Sequence, residues 1–175
     1  MYMKASVQTS KYFKPHIDSL QELDVYFWIA GGSLRDFFIN QDPKDIDFYF
    51  ESIQDRDKAK DLLVEKGFEV INIWEKHFEL QKDKLRYDLF HRTKSPEETL
   101  LDFDYTVCRC ALDKNYILYY DKNFFYDLKL RRLVRSPYPK RHIIVESKRL
   151  KKLLQRGFNI DKDNLILFLN DHTQD

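Results

Sequence analysis

The stretch IAGGSLRDFFINQDPKDIDFYF, residues 29–50, contains the two features from which the fold and the site can be argued. Gly31 and Gly32, two of only four glycines in the chain, follow an apolar run and precede a segment with helical spacing. Asp45 and Asp47 then interrupt the next apolar run at a spacing of two. The pattern predicts a strand, a glycine turn, a helix and a second strand.

The two aspartates raise the question of a metal site. In a strand, side chains at i and i+2 point to the same face, so Asp45 and Asp47 would project together with their backbones about 6–7 Å apart. Two like charges at this spacing repel each other, and their burial is costly unless a cation lies between them. Carboxylate oxygens suit Mg²⁺ or Mn²⁺. The alternative is an exposed edge strand whose aspartates face water, and the Asp-Ile-Asp pattern alone does not decide.

The glycine pair points to an anion. Without side chains, Gly31 and Gly32 let the backbone approach a ligand closely at the start of a helix, where unpaired N–H groups favour negative charge. Ser33 can add a hydroxyl donor and Arg35 a cation within the first turn. The alternative is a tight turn in which Ser33 caps the helix. A phosphate cradle followed by a paired-aspartate metal site would supply both halves of a nucleoside triphosphate site.

The remaining patterns predict a mixed sheet with helices packed against it, an α/β or α+β fold. We expect an opening helix over residues 14–26, a helix ending at Gly67, three strands within 69–92, a helix starting after Ser95, a hairpin over 110–121 and a helix ending at Gly157. At 175 residues, the chain has room for one domain over residues 1–138 and a short helical extension over 139–175.

Composition narrows the class of protein. The chain is 43% hydrophobic, 15% aromatic and 34% charged, and no apolar run approaches the roughly 20 residues that a bilayer crossing needs. The amino terminus lacks the pattern of a secretory signal. Cys108 and Cys110 are too few for a disulfide framework or a four-ligand zinc site, and free thiols suit a reducing compartment. We therefore expect a cytoplasmic protein without a membrane partner.

Charge is unevenly distributed although the net charge is only +1. The basic segment, residues 128–160, contains eleven Lys or Arg and one acid, Glu146, which gives it a formal charge of +10. Such a block commonly meets phosphate on a nucleic acid or a nucleotide. A solvated helix face is the alternative interpretation.

GGSLRD followed by DIDF resembles the Gly-Gly, Arg-Asp, Asp-x-Asp signature of the DNA polymerase β-like nucleotidyltransferase superfamily. More narrowly, it resembles the head domain of tRNA CCA-adding enzymes and bacterial poly(A) polymerases. In KLRYDLFHR, Asp88 falls where that family places its third carboxylate, with Arg92 close behind. The resemblance covers roughly residues 25–160.

Two later segments extend the resemblance with departures. DYTVCRCAL is similar to the family's Arg-Arg-Asp-Phe-Thr-Ile-Asn-Ala-Leu motif and places Asp104 and Thr106 on its Asp and Thr, whereas Asp102 and Phe103 replace the paired arginines and Cys108 the Asn. ESKRLKKLLQRGFNI resembles the nucleotide-selecting helix, with Glu146 and Arg149 at the spacing of the Asp and Arg that select the base. Val145 stands where an acid should precede Glu146.

The resemblance implies a catalytic and metal-binding triad of Asp45, Asp47 and Asp88, which would hold two Mg²⁺ or Mn²⁺ ions. It further implies that an NTP, ATP or CTP, is bound by Gly31, Gly32, Ser33, Arg35, Arg92, Asp104, Glu146 and Arg149.

The implied reaction is transfer of an NMP to a hydroxyl acceptor, foremost a tRNA-like RNA 3′ end held by the basic segment. The helical neck, body and tail of a CCA-adding enzyme have no counterpart in the sequence, so a partner chain or a homodimer could supply acceptor binding. Two alternatives stay open: nucleotide transfer to a protein or small molecule, and a non-catalytic RNA-binding module that keeps the fold.

Overall fold

The structure is a computed structural model that describes residues 1–75, 77–136 and 142–170. Its elements, in chain order, are β1 (Tyr2–Lys4), α1 (Val7–Asp18), β2 (Phe27–Ala30), α2 (Gly32–Phe38), β3 (Ile46–Phe50), α3 (Ile53–Glu65), β4 (Glu69–Ile73), β5 (His77–Lys82), β6 (Leu85–His91), α4 (Pro96–Thr99), β7 (Cys110–Asp113), β8 (Ile117–Tyr120), α5 (Phe124–Lys129), α6 (Ile143–Gln155) and α7 (Lys162–Asn170). Two 3₁₀ turns, Leu100–Asp102 and Thr106–Cys108, precede β7.

The eight strands form one mixed sheet in the order β1-β8-β7-β2-β3-β6-β5-β4. Strand β3 pairs with β6 in parallel, because helix α3 and the β4–β5 pair intervene in the chain between them. The neighbouring pairs are antiparallel, including the predicted hairpin of β7 and β8. This arrangement confirms the predicted fold class.

The two faces of the central strands have different chemistry. Alternation along β3 turns Phe48 and Phe50 to one face and Asp47 and Tyr49 to the other. Phe48 and Tyr87 of β6 belong to the buried core, together with Ala59 and Leu63 of α3. The face opposite α3 is therefore the one that carries the polar groups.

Local signals in the sequence explain where the helices begin. Ser52 caps α3 by accepting a hydrogen bond from the Asp55 backbone N–H, and Ser95 and Glu98 form a complete capping box on α4. The prediction for the opening helix was wrong at both ends: α1 spans Val7–Asp18 rather than 14–26. Ser6 caps the helix by accepting from the Thr9 N–H, which fixes a start earlier in the chain than the apolar spacing suggested.

The predicted division at residues 138 and 139 lies outside the described residues, as do Lys140 and Arg141 of the basic segment. Past that gap, α6 forms as predicted and ends just before Gly157, whose positive φ of 83° suits a helix C-terminus. No helix within the described ranges is long and apolar enough to cross a membrane.

Candidate functional site

Three carboxylates from separate parts of the chain meet at one cleft. Asp47 of β3 lies directly opposite Asp88 of β6 in the parallel pair, and Asp45 immediately precedes β3. All three line a cavity of about 320 Å³. Seven of the eleven predicted site residues line this cavity: Gly32, Arg35, Asp45, Asp47, Asp88, Arg92 and Arg149.

Arg86 lies between two of these carboxylates. Its Nη2 is 3.3 Å from Asp45 Oδ2, 3.4 Å from Asp88 Oδ2 and 3.9 Å from Oε1 of Glu79 on β5. Neither Arg86 nor Glu79 was predicted as a site residue. A signal for Arg86 was present, because its position two residues before Asp88 on a strand places both side chains on the same face.

The electrostatics of the cleft favour a cation. Burial, reinforced by the neighbouring charges of Asp45 and Asp88, raises the pKa of Asp47 well above its ordinary value. Burial likewise raises the pKa of Asp88 to about 6, against the opposing effect of Arg86. Each shift means that negative charge in the cleft is not fully compensated by the protein.

The residues present fit a divalent ion. Asp88 Oδ1 is buried and has no hydrogen-bond partner, and no donor in the described part of the chain contacts Asp47. Oxygen-only donors of this kind are what Mg²⁺ and Mn²⁺ prefer. Among the described residues, no group of three or more His, Cys, Asp or Glu side chains is already arranged around a metal position, and Arg86 occupies the space between Asp45 and Asp88.

The glycine turn connects β2 to α2 in a backbone conformation that demands glycine. Gly31 has φ +87°, and a Cβ added there would lie 2.7 Å from Cε1 of Phe103. The Gly31 N–H donates to the Cys110 carbonyl at 2.9 Å, which ties the turn to β7. Ser33 Oγ is buried, and no described residue forms a hydrogen bond with it.

Arg35 is held rigidly at the edge of the cavity. Its Nε donates to Asp36 Oδ1 at 2.8 Å and its Nη1 to Cys108 Sγ at 3.2 Å, and the residue is only 6% exposed. Arg156 of the chain following α6 pairs with the second oxygen of Asp36. Asp36 therefore has a structural role, because it keeps the Arg35 guanidinium at the cavity wall.

The site residues predicted from the two later motifs form ion pairs within the protein. Arg149 donates twice to Asp104, at 2.7 and 2.9 Å, and Asp104 is only 1% exposed. Glu146 Oε2 accepts from Arg135 Nη2 at 2.6 Å, with both side chains at most 2% exposed. Arg149 still reaches the cavity, whereas Gly31, Ser33, Asp104 and Glu146 are not among its lining residues.

Aromatic and basic side chains complete the cavity wall. Tyr49, Phe90 and Phe103 line it, together with Lys152 of α6. Arg92, whose Nε is 3.8 Å from Asp102, lies over the Phe90 ring at 5.6 Å. The sequence analysis did not single out Tyr49 and Phe90, because a Tyr or Phe in a strand is most often a core residue.

The contribution of Asp88 to the stability of the metal-free protein is expected to fall as pH rises from about 4 to about 6, because Asp88 binds its proton more tightly in the folded state. Below this window the carboxyl is neutral in both states, and above it the burial of its charge costs on the order of 2 kcal/mol. Asp88→Asn removes this contribution, so the variant should gain stability at pH 7.5 and show a flatter pH dependence. Urea unfolding in EDTA at pH 4.5, 6 and 7.5 measures both quantities. Asp24→Asn, an exposed carboxylate away from the cleft, is the control; a slope equal to that of the wild type in Asp88→Asn would contradict the prediction.

Solved structures with a similar fold are tRNA-processing enzymes. The Thermotoga maritima CCA-adding enzyme complexed with tRNA has a TM-score of 0.71 and 16% identity, covering 98% of this chain and 45% of that one. A tRNA nucleotidyltransferase complexed with a primer tRNA and an incoming ATP analogue has a TM-score of 0.66 and 22% identity, with coverage of 89% and 49%. A tRNA-processing enzyme with CTP has a TM-score of 0.64 and 21% identity, with coverage of 88% and 45%.

These matches confirm the fold that the resemblance implied, that of a nucleotidyltransferase head domain. The chain spans about half the length of the solved structures it matches. A search of curated protein sequences returns no match. The family model described as Gabija anti-defense 2 family protein matches residues 2–131, well over half of the sequence. The chain therefore belongs to the Gabija anti-defense 2 family.

Proposed function

We propose that the protein is a metal-dependent nucleotidyltransferase that moves an NMP from an NTP to a hydroxyl acceptor. The observation that carries this proposal is the convergence of Asp45, Asp47 and Asp88 on one cavity that also has the guanidinium of Arg35 in its wall. Three acidic oxygen donors facing a fixed cation match the needs of a triphosphate, which brings its own negative charge and divalent ions.

The acidic residues and the remaining site residues would have separate roles, the first binding metal ions and the second binding the nucleotide. Asp45, Asp47 and Asp88 would hold two Mg²⁺ or Mn²⁺ ions, which supply charge neutralisation on the phosphates and activation of the attacking hydroxyl. Gly31, Gly32, Ser33 and Arg35 would bind the β- and γ-phosphates. Arg92 and Arg149 lie at the wall where the rest of the nucleotide would sit.

The reaction is an in-line displacement at the α-phosphorus. The oxygen of the acceptor hydroxyl forms a bond to that phosphorus, the bond to the β-phosphate oxygen breaks, and pyrophosphate leaves. The proton of the acceptor hydroxyl is released to solvent as its oxygen bonds to phosphorus, and Asp88 would act as a ligand of the ions that activate this hydroxyl.

The acceptor is foremost an RNA 3′ end, as in the tRNA-processing enzymes that share the fold. The described part of the basic segment supports this choice, since Arg149 and Lys152 of α6 border the cavity. The incoming nucleotide would be ATP or CTP, which analogous structures contain. A second copy or a partner chain that helps to hold the acceptor, and a cytoplasmic location, stay predictions.

The family description favours a second candidate. An anti-defense role would be served by the same chemistry directed at a component of a defence system, so that the acceptor is a protein or a small molecule. A non-catalytic RNA-binding module is the third candidate, and the three retained carboxylates argue against it.

Labelled transfer separates these candidates. The purified protein is incubated with Mg²⁺ and each NTP, carrying ³²P at either the α- or the γ-position, in the presence of total RNA or total protein. We expect the α-label to enter the RNA and the γ-label to appear as pyrophosphate. Label in the protein fraction alone favours the second candidate. Absence of transfer with every NTP, together with RNA binding and no metal-dependent NTP binding by calorimetry, would overturn the enzymatic proposal.

A further inference from the structure

Five aromatic rings form a continuous stack across the sheet, here named the aromatic column: Trp28, Tyr49, Phe90, His77 and Trp74. Successive centroids are 6.1, 5.1, 4.7 and 4.3 Å apart, with interplanar angles of 12°, 18°, 26° and 13°. The first four rings lie directly opposite one another on β2, β3, β6 and β5. The column therefore follows the strand spacing, and its ring planes are nearly parallel.

Exposure increases along the aromatic column from the core to the edge of the sheet. Trp28 is fully buried, Tyr49 is 7% exposed, Phe90 and His77 are half-buried, and Trp74 is 44% exposed. Trp74 follows β4, the last strand of the sheet, and among the described residues only His77 stacks on it. Part of the indole is thus open to solvent, and no second ring among the described residues stacks on it.

The aromatic column runs beside the carboxylates. Asp47 and Tyr49 are two residues apart on β3, and Asp88 and Phe90 are two residues apart on β6, so each pair shares a face. The carboxylates of Asp47 and Asp88 and the rings of Tyr49 and Phe90 are therefore separated by about 6–7 Å along the strands. Tyr49 and Phe90 belong to both the column and the cavity wall, which makes the column a direct continuation of the cleft.

We propose that the exposed end of the aromatic column, Trp74, is the binding platform for a base of a single-stranded nucleic-acid acceptor. A base stacks on the exposed part of the Trp74 indole, and the strand continues along the exposed edges of His77 and Phe90 towards the carboxylates. This inference rests on the proposed function, since it assigns the acceptor of that reaction.

The chemistry of the aromatic column favours a polynucleotide over a polypeptide. Stacking is sequence-tolerant because every base has a π-face, and single-stranded nucleic acids are typically held by aromatic side chains with cations beside them. Arg86 and Arg92 lie on β6 and directly after it, on either side of Asp88 and Phe90, where they can meet phosphates. Burial lowers the pKa of His77, so its ring is uncharged at neutral pH and stacks as an aromatic.

Tryptophan fluorescence tests the platform directly, because Trp28 is buried and Trp74 is the exposed one of the two tryptophans. The probes are an adenosine hexanucleotide, an abasic chain of the same length and a duplex RNA. We expect saturable quenching by the hexanucleotide only. Equal quenching by the abasic chain would assign the contact to phosphates and overturn the proposal.

Variants separate stacking from fold effects. Trp74→Ala should weaken binding of a labelled hexanucleotide, followed by anisotropy, by about tenfold or more, and Trp74→Phe should restore most of it. Tyr126→Ala, which removes an exposed ring of α5 outside the column, should leave the affinity unchanged. Metal-dependent NTP binding should be the same in all three variants.

The outcomes distinguish this inference from the proposed function. Hexanucleotide binding that depends on Trp74, in a protein that binds no NTP, would support the platform and overturn the enzyme. NTP binding with no quenching by any oligonucleotide would support the enzyme and overturn the platform. Label transfer to protein that is insensitive to Trp74→Ala would also overturn it, because the acceptor would then be a polypeptide that does not use the column.

Discussion

Asp47→Asn is expected to lower nucleotide transfer by at least about a thousandfold while raising the thermal stability of the protein. The substitution keeps the shape of the side chain and removes one of the two carboxylates that face each other across β3 and β6. Without it, the cleft loses a ligand oxygen with its charge, and the ions and the triphosphate are no longer held in position.

The gain in stability has the same origin. The raised pKa of Asp47 shows that its charge is unfavourable in the folded protein, mainly through burial and also through Asp45 and Asp88. The neutral amide avoids that penalty, and each kcal/mol gained should raise Tm by about 2–4 °C for a chain of this size. Opposite signs for activity and stability are typical of a site whose charges serve a ligand.

The measurements are label transfer from an α-labelled NTP and thermal unfolding in EDTA, for the wild type, Asp47→Asn and Asp24→Asn. The exposed Asp24 lies away from the cleft and controls for loss of a carboxylate as such. Full transfer activity in Asp47→Asn would show that the carboxylate is not part of the machinery. A variant that is both inactive and less stable than the wild type would point to misfolding instead.

Glu146→Ala is expected to destabilise the protein by about 3–5 kcal/mol, the usual cost of breaking a buried ion pair from one side. Glu146 and Arg135 pair at 2.6 Å and are at most 2% exposed, so the variant leaves a buried guanidinium without this carboxylate. The resemblance implied that Glu146 selects the base. In the structure the side chain joins α6 to the segment that precedes it.

Urea unfolding measures the loss, and competition between ATP and CTP in the transfer assay measures base choice. We expect lower stability and an unchanged ratio of the two nucleotides. Val145→Ala, at a neighbouring position that is 46% exposed, should change neither. A stable Glu146→Ala variant with a changed nucleotide ratio would return Glu146 to the base-selecting role.

Local patterns in the sequence were sufficient to identify the centre of the candidate site. The Gly31–Gly32 turn and the Asp45–Asp47 spacing are short-range features, and each depends on backbone rules that a few residues satisfy. Asp88 came from the resemblance, and its place opposite Asp47 follows once β3 and β6 pair in parallel.

What the sequence analysis missed depends on contacts between distant residues. The resemblance placed Glu146 among the nucleotide-binding residues, whereas its ion pair with Arg135 could not be identified from spacing. Arg86 contacts Asp45 only because the fold brings Asp45 beside β6, and the two residues are 41 positions apart in the chain. The aromatic column likewise requires the pairing of strands from β2 to β5, and no single segment contains its pattern.

The parallel pairing of β3 and β6 has a consequence for how such a protein can change. The distance between the two strands that carry Asp47 and Asp88 is fixed by main-chain hydrogen bonds, which do not depend on side-chain identity. Substitutions in the surrounding helices and loops can therefore accumulate without moving the paired acids apart. In a chain with this scaffold, the surfaces around the cleft can therefore change while the spacing between Asp47 and Asp88 stays the same.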